Sequence, residues 1–449
     1  MPAREISGPP TDALVVSVGM ADARDDRLDG RFVRLWAASA TSALGSGVAT
    51  IAAPLLVASR TSDPLVVSAA FAVAWLPWLL FSLPGGVLVD RVDRRRLMIV
   101  VDAVRVVAMG LLAVAIVVGH APIALLYAVL FSVNAGEVVF RTASQALIPA
   151  VVPRARLERA NGWLAGGYTL MQGMVAGPVG GFLFLAAASI PFFVNAGTYA
   201  ASAILIATVA GSYRGTEARG TEARGTGTLD ARPRSVRADV VEGFRWLIGQ
   251  RLLRTMSVLI GLLNVTLTAA LAVLVLLAKE RLHLGSVGYG LLFTAMAVGG
   301  VLGAVTGDRL VSWFSATWTI RVGLVIEAAT HLVLAASRSA YLVGFALFAF
   351  GVHGALWGIV NSSLRQRLTP HAMLGRVGSA SLFIAAGGNC VGALLGGAVA
   401  TRYGLAAPYW VGFVVAVLVT AATWRVFDRA TVAAAYAVPA EEPRLTPSA

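Results

Sequence analysis

The chain is written mostly in long apolar runs broken by short polar connections, and the runs have the length of membrane crossings. A crossing helix needs roughly 20 mostly apolar residues. Runs of that kind fall near 32–58, 66–89, 97–119, 121–150, 162–188 and 190–210. They resume near 253–279, 288–310, 317–336, 339–366, 376–402 and 406–426. Backbone polar groups in hydrocarbon must be paired within their own segment, so each run is predicted to be a helix. The short alternating strands of a barrel are absent from the pattern. The prediction is an all-α membrane protein of twelve transmembrane helices in two six-helix bundles. Its parts are a tail (1–30), a first bundle (31–210), a linker (211–250), a second bundle (251–427) and a second tail (428–449).

The linker differs in kind from the rest. GTEAR stands at 215–219 and again at 220–224, a tract rich in Gly, Thr and charge that offers no apolar face to bury. It reads as disordered. The later part, VRADVVEGFRWLIGQRLLR, spaces Val240, Phe244, Trp246 and Leu247 along one side of a short amphipathic helix. That helix is expected to lie at the inner membrane surface or to be a plain solvated connector. The first thirty residues carry Arg4, Arg24, Asp25, Asp26 and Arg27 and lack the apolar core of a cleavable signal, which predicts a cytoplasmic tail.

Composition supports the same solvent. Of 449 residues, 57% are hydrophobic and 13% charged, against about a quarter charged in soluble domains. The net charge of +13 could suggest nucleic acid, but the basic residues sit in short segments between apolar runs. That is the positive-inside pattern of a membrane protein. With a cytoplasmic N-terminus, the inner connections hold Arg91, Arg94, Arg95, Arg96, Arg154, Arg156, Arg159, Arg365, Arg367, Arg376 and the arginine-rich linker. The outer ones hold mainly Arg60, Lys279, Arg281, Arg338 and Arg402. The expected location is a bacterial plasma membrane, with both termini cytoplasmic and the chain acting as a monomer. Cys390 is the single cysteine, so no disulfide forms within the chain. No Cys/His cluster has metal-ligand spacing, and no phosphate-cradling loop or catalytic triad occurs. No cofactor is expected and an enzyme is disfavoured; energy for any transport must come from an ion gradient.

The two bundles repeat each other. Asp90-Arg91 corresponds to Asp308-Arg309, 218 positions on. Pro153 corresponds to Pro370, 217 on, and Gly180-Gly181 to Gly396-Gly397, 216 on. Parallel six-helix repeats with a site between them at mid-membrane are a transporter design.

The run from Gly86 to Arg96, GVLVDRVDRRR, resembles the G-x-L-a-D-R-x-G-R-K/R signature between spans two and three of the major facilitator superfamily, with Asp93 in place of the second glycine. PLLVASRTSDPLVVS, LIPAVVPRARLERANG, GYGLL and SLRQRLTPHAMLGRV are similar to one branch of it, bacterial drug and siderophore exporters of the macrolide-efflux and enterobactin-exporter type. The resemblance covers about 30–426. It implies that Asp90 engages the N-terminus of span eleven, with Arg91, Arg94 and Arg376 sharing the contact, and so shuts the cytoplasmic side in the outward-facing state. An anion at a helix N-terminus is favoured by about 0.3–1 kcal/mol. Anchoring of topology is the competing role for these arginines, and the preferred one for Arg95 and Arg96. The resemblance also implies that spans one, four, seven and ten surround the pathway.

Charges inside spans are the remaining signal, since each costs about 2.5 kcal/mol or more at the bilayer centre. Glu137 and Arg141 lie four apart on span four, and Asp102 and Arg105 three apart on span three. Asp102, Glu137 and Arg141 are expected to meet as a charge network. Glu137 is the leading proton-coupling candidate, because burial favours a protonated carboxylate and a nearby arginine an ionised one. A permanent ion pair is the alternative. Glu327 and His331 are four apart on span nine, and His353 sits mid-span ten. A Glu–His pair could relay protons, though packing is the preferred role for His331. Asn134, Gln172, Asn264, Asn361 and Asn389 could line a cavity; span position raises Asn134, Asn264, Asn361 and His353, and Trp357 and Phe140 would suit amphiphiles. Pro178 should kink span five.

The function these residues favour is export of small amphiphilic molecules by alternating access and proton antiport. The expected partners are lipid, a small-molecule substrate and protons, with no nucleic acid. A proton-coupled nutrient importer would use the same fold with the opposite coupling sign. A receptor or scaffold that has lost transport would need no accessible buried carboxylate.

Overall fold

In a computed structural model the described residues are 29–81, 88–89, 91–211, 213, 236–370, 373–427 and 430. Asp90 and the GTEAR repeat lie outside them. The first bundle comprises α1 (Gly30–Ala58), α2 (Pro64–Phe81), α3 (Arg94–Val117), α4 (Ile123–Val151), α5 (Leu157–Ala186) and α6 (Ile190–Ala207). A surface helix, Val236–Gly249, precedes the second bundle. That bundle opens with α7 (Arg251–Arg281). The helical run Ser286–Ala336 breaks at Ser315, where φ is 67°, into α8 (286–314) and α9 (316–336). Helices α10 (Ala340–Leu368), α11 (Leu374–Tyr403) and the shorter apolar α12 (Ala407–Thr423) complete it. Twelve crossings result, as the apolar pattern requires.

Because the crossings alternate, the bundle has a linker face, where α1 begins and the surface helix lies, and a far face, where α1 ends. On the linker face the start of α3 is tied into the first bundle. Asp93 caps α3 by accepting from the Arg96 N–H at 2.8 Å, and its other oxygen accepts from the Tyr213 N–H at 2.7 Å. A side-chain oxygen at a helix start satisfies a donor that has no partner within the helix. A glycine there could supply neither bond, which accounts for the departure from the superfamily signature. Arg94 donates to the Ala146 carbonyl at 2.8 Å and Arg95 to the Ile206 carbonyl at 3.2 Å, cations placed at the C-terminal ends of α4 and α6.

The bundles meet along two seams, α2 with α11 and α5 with α8. At the α5–α8 seam the backbones touch: a Cβ on Gly290 would collide with the Gly177 carbonyl. Beside it, Pro178 has no N–H for the Met174 carbonyl four residues back. That carbonyl instead accepts from Thr294 Oγ1 of α8 at 3.3 Å, and the turn just before it, Thr169–Val175, is a π-helix. The kink expected at Pro178 is thus a local rewinding that binds α5 to the other bundle.

The apolar cores show which end is closed. One cluster near the far face draws on both bundles, joining Ala53, Leu56 and Val57 to Val273, Leu276 and Tyr289. On the linker face each bundle keeps its own, Phe32 with Met98 and Phe140 in the first, Met256 with Ile320 and Leu364 in the second. Polar contacts reinforce the far-face closure: Lys279 Nζ donates to the Ala58 carbonyl at 3.1 Å, and Ser286 Oγ to the Gly181 carbonyl at 2.8 Å.

The linker's amphipathic stretch is helical, and it docks on protein. Leu247 is buried, Phe244 meets Phe383 edge-on at 6.1 Å, and Gly243 sits against the Arg376 carbonyl of α11. The apolar stripe seen in the sequence is used against α11.

Candidate transport cavity and its buried charges

Between the bundles lies a cavity of about 490 Å³ bordered by α1 to α8 and α11. Its wall is mostly apolar and aromatic, with Phe71, Trp75, Trp78 and Phe293, and a few polar groups are set into it. That mixture suits a ligand with a large apolar body held in orientation by few polar contacts. Of the expected cavity residues, Asn134 and Asn264 border it, as do Gln172 and Asn389. His353, Trp357 and Asn361 are not among the residues that border it. Asn134 donates to its own helix, at the Leu130 carbonyl, and Asn389 accepts from Thr268 at 2.7 Å.

The charge network forms, around a different arginine from the expected one. Arg105 of α3, 1% exposed, holds Asp102 at 3.1 Å and bonds Glu137 of α4 through its other terminal nitrogen. It also donates to Ser42 Oγ and to the Val133 carbonyl, each at 3.2 Å, and lies 4.1 Å from the centre of the Tyr199 ring. Ser46 donates to Glu137 at 3.0 Å and shares a hydrogen bond with the Tyr199 hydroxyl at 3.1 Å. One cation thus serves two carboxylates in a buried setting where every attraction is strong. Arg141, one turn along α4 from Glu137, packs against aromatic rings instead. Its guanidinium lies 4.3 Å from the Tyr168 ring centre and 5.7 Å from that of Trp78. Residues four apart share a helix face, but α3 reaches Glu137 first, and α2 and α5 offer aromatic rings at the level of Arg141.

A second buried cluster lies outside the cavity wall. Glu327 of α9 is 3.6 Å from His331 and 3.7 Å from His353 of α10. The two imidazoles rest on glycines, His353 against Gly323 and His331 against Gly412 of α12. Trp357 flanks His353 edge-on at 6.3 Å. The Glu327–His331 spacing was visible in the sequence; the approach of His353 from the next helix was not.

Of the expected gate residues, Arg91 is exposed and Arg94 binds the end of α4 as described. Arg376, at the start of α11, pairs with Glu242 of the surface helix at 2.9 Å. Contributors that escaped the sequence reading include Ser46, Tyr199, Trp75 and Trp78. The spacing of Trp75 and Trp78 around Pro77 in AWLPW was the available sign of an aromatic wall.

Comparison with known proteins gives this geometry its family. The match to the family described as transmembrane secretion effector runs over residues 28–444. The multidrug efflux pump Tap of Mycobacterium tuberculosis is 27% identical over 389 residues, 83% of this chain and 87% of that one. Macrolide efflux protein A of Streptococcus pyogenes is 29% identical over 133 residues, 30% of this chain; the match spans 33% of that protein's length. The enterobactin exporter EntS of Citrobacter koseri is 29% identical over 165 residues, 35% of this chain and 38% of its own. Among solved structures, the nucleoside transporter NupG superposes with a TM-score of 0.69 at 12% identity, over 89% of this chain and 100% of that one. A bacterial homologue of the iron transporter ferroportin, in an inward-facing state, gives 0.68 at 16% identity over 89% and 99%. Identities that low speak for the fold alone. Since the family match extends across both bundles and the linker between them, the chain belongs to the transmembrane secretion effector family of the major facilitator superfamily, and it is a multi-pass membrane transporter.

Proposed function

We propose that this transporter exports small amphiphilic molecules from a bacterial cytoplasm by alternating access, with protons moving inward through Glu137. The observation that carries the reading is the aromatic cavity between the bundles, which, among the described residues, one acidic side chain, Glu137, borders. The linker face holds the arginine-rich connections, so the positive-inside rule assigns it to the cytoplasm, with both termini. The far-face closure then leaves the cavity to be loaded from inside. Relatives named as efflux pumps and an exporter favour export over import.

In this cycle a proton leaves Glu137 toward the cytoplasm, and Arg105 takes the ionised carboxylate. Loading of substrate is followed by a rocking of the bundles that parts the far face and shuts the linker face. Asp90 then meets the N-terminus of α11, Arg376 exchanges Glu242 for that contact, and Arg91 and Arg94 support it. From the periplasmic side Glu137 regains a proton and substrate leaves. The chain acts as a monomer. The Glu327–His331–His353 cluster, which does not border the cavity, holds α9, α10 and α12 together.

Accumulation of dyes and antibiotics in cells producing the wild type or Glu137→Gln, with and without a protonophore, tests this. The wild type should lower accumulation of at least one compound several-fold, and the protonophore and Glu137→Gln should each abolish that. Failure to lower any compound removes the export reading. Normal export by Glu137→Gln removes the proton assignment.

A further inference from the structure

Among the described residues, the charged side chains on the cavity wall are Arg105, Glu137 and Arg141, all from the first bundle, and the second bundle contributes uncharged residues there. Arg105 is answered by Asp102 and Glu137. Arg141 is not answered. Among the described residues no carboxylate lies within salt-bridge distance of it and no hydrogen-bond acceptor meets its guanidinium; its contacts are the rings of Tyr168 and Trp78. Ring faces attract a guanidinium, but they leave its fork of N–H donors unused. Those donors match a carboxylate or similar oxyanion in shape as well as charge.

We propose that the cavity selects amphiphiles carrying an acidic group. The oxyanion binds Arg141, and the apolar body lies against Trp75, Trp78 and Phe293. A cationic amphiphile would meet the Arg141 guanidinium with no carboxylate paired to it among the described residues. It would also find Glu137 already engaged by Arg105 and Ser46. This rests on the cavity being the substrate site, and it narrows the substrate class of that site. An anion at Arg141 and a proton at Glu137 attract each other, so direct competition at one atom does not order their exchange; the change of state does.

The test is isothermal titration calorimetry of the full chain in lipid nanodiscs, with heats from empty nanodiscs subtracted. The probes are matched pairs, 1-naphthaleneacetate with 1-naphthylethylamine, 4-phenylbutyrate with 4-phenylbutylamine, and indole-3-acetate with tryptamine. The wild type should bind the carboxylate of each pair at least tenfold more tightly than the amine. Arg141→Gln should erase that preference, Arg141→Lys keep part of it and Arg141→Glu reverse it, with all variants eluting as folded protein by size exclusion. Tighter amine binding, equal binding, saturable binding of neither member, or a preference that survives Arg141→Gln would each overturn the proposal. The readout needs no gradient and no direction of transport. A chain that prefers carboxylates yet extrudes nothing would sink the export reading and leave this one standing.

Discussion

Arg105 is buried and answers two carboxylates at once, Asp102 and Glu137. Removing one member of a buried ion pair leaves an unpaired charge and costs about 3–5 kcal/mol, whereas removing the whole group with well-packed replacements costs far less. Arg105→Met should therefore lower stability by about that amount in thermal or SDS unfolding. Combining it with Asp102→Asn and Glu137→Gln should recover most of the loss. A silent Arg105→Met would mean the network carries little. Its existence was legible in the sequence, because charges within apolar runs are costly and all four, Asp102, Arg105, Glu137 and Arg141, fall on two successive helices. Its wiring was not. The i,i+4 rule says which residues share a face of one helix, and not which side chain of a neighbouring helix arrives first. For that reason Arg141 was expected beside Glu137, and Arg105 occupies the place. Asp93 shows the reverse: the departure from the signature was plain in the sequence, but its cause, two hydrogen bonds to Arg96 and Tyr213, needed the distant residue to be placed.

Among the elements, the apolar runs defined the crossings well, because length and lipid compatibility leave a helix few alternatives. The break at Ser315 carries no proline or glycine in SWFSATW; the gap between the apolar runs at 310 and 317, beside the repeated Asp308-Arg309, was what placed a turn there. The linker helix was legible as amphipathic, and its docking on α11 was not, since a stripe of Phe244, Trp246 and Leu247 suits lipid and protein alike. The α5–α8 seam makes a sharp prediction. Gly290→Leu would drive a side chain into the Gly177 carbonyl, and overpacking of a tight contact costs about 1–3 kcal/mol. The detergent-solubilised variant should melt several degrees lower by fluorescence-detected size exclusion, while Gly354→Leu, at a glycine with open space around it, should not. Equal melting of the two would show that the seam is looser than its geometry. The Glu242–Arg376 pair is half exposed on the Glu side, so Glu242→Gln should change stability by less than about 1 kcal/mol.

For the whole molecule, the decisive feature is that, among the described residues, the apolar core shared by the bundles lies toward the far face. Thr401 Oγ1 of α11 bonds Asp63 at 3.3 Å across the mouth between the bundles. In a Cys390→Ala background, cysteines at 63 and 401 should crosslink on oxidation, stop turnover, and release it again on reduction. Crosslinked protein that still transports would mean the far face need not open. Both bundles and their repeat were readable from the chain, since landmarks recur at a nearly constant offset. Which end closes was not, because a sequence that must support both states favours neither in its pattern. The central claim is exchange of substrate for protons through Glu137. It is tested most directly in proteoliposomes carrying a pH-sensitive dye, with an exported compound applied to the wild type and to Glu137→Gln. A substrate-dependent proton flux opposite to substrate movement is expected in the wild type and none in the variant; equal proton flux in both would contradict exchange through Glu137.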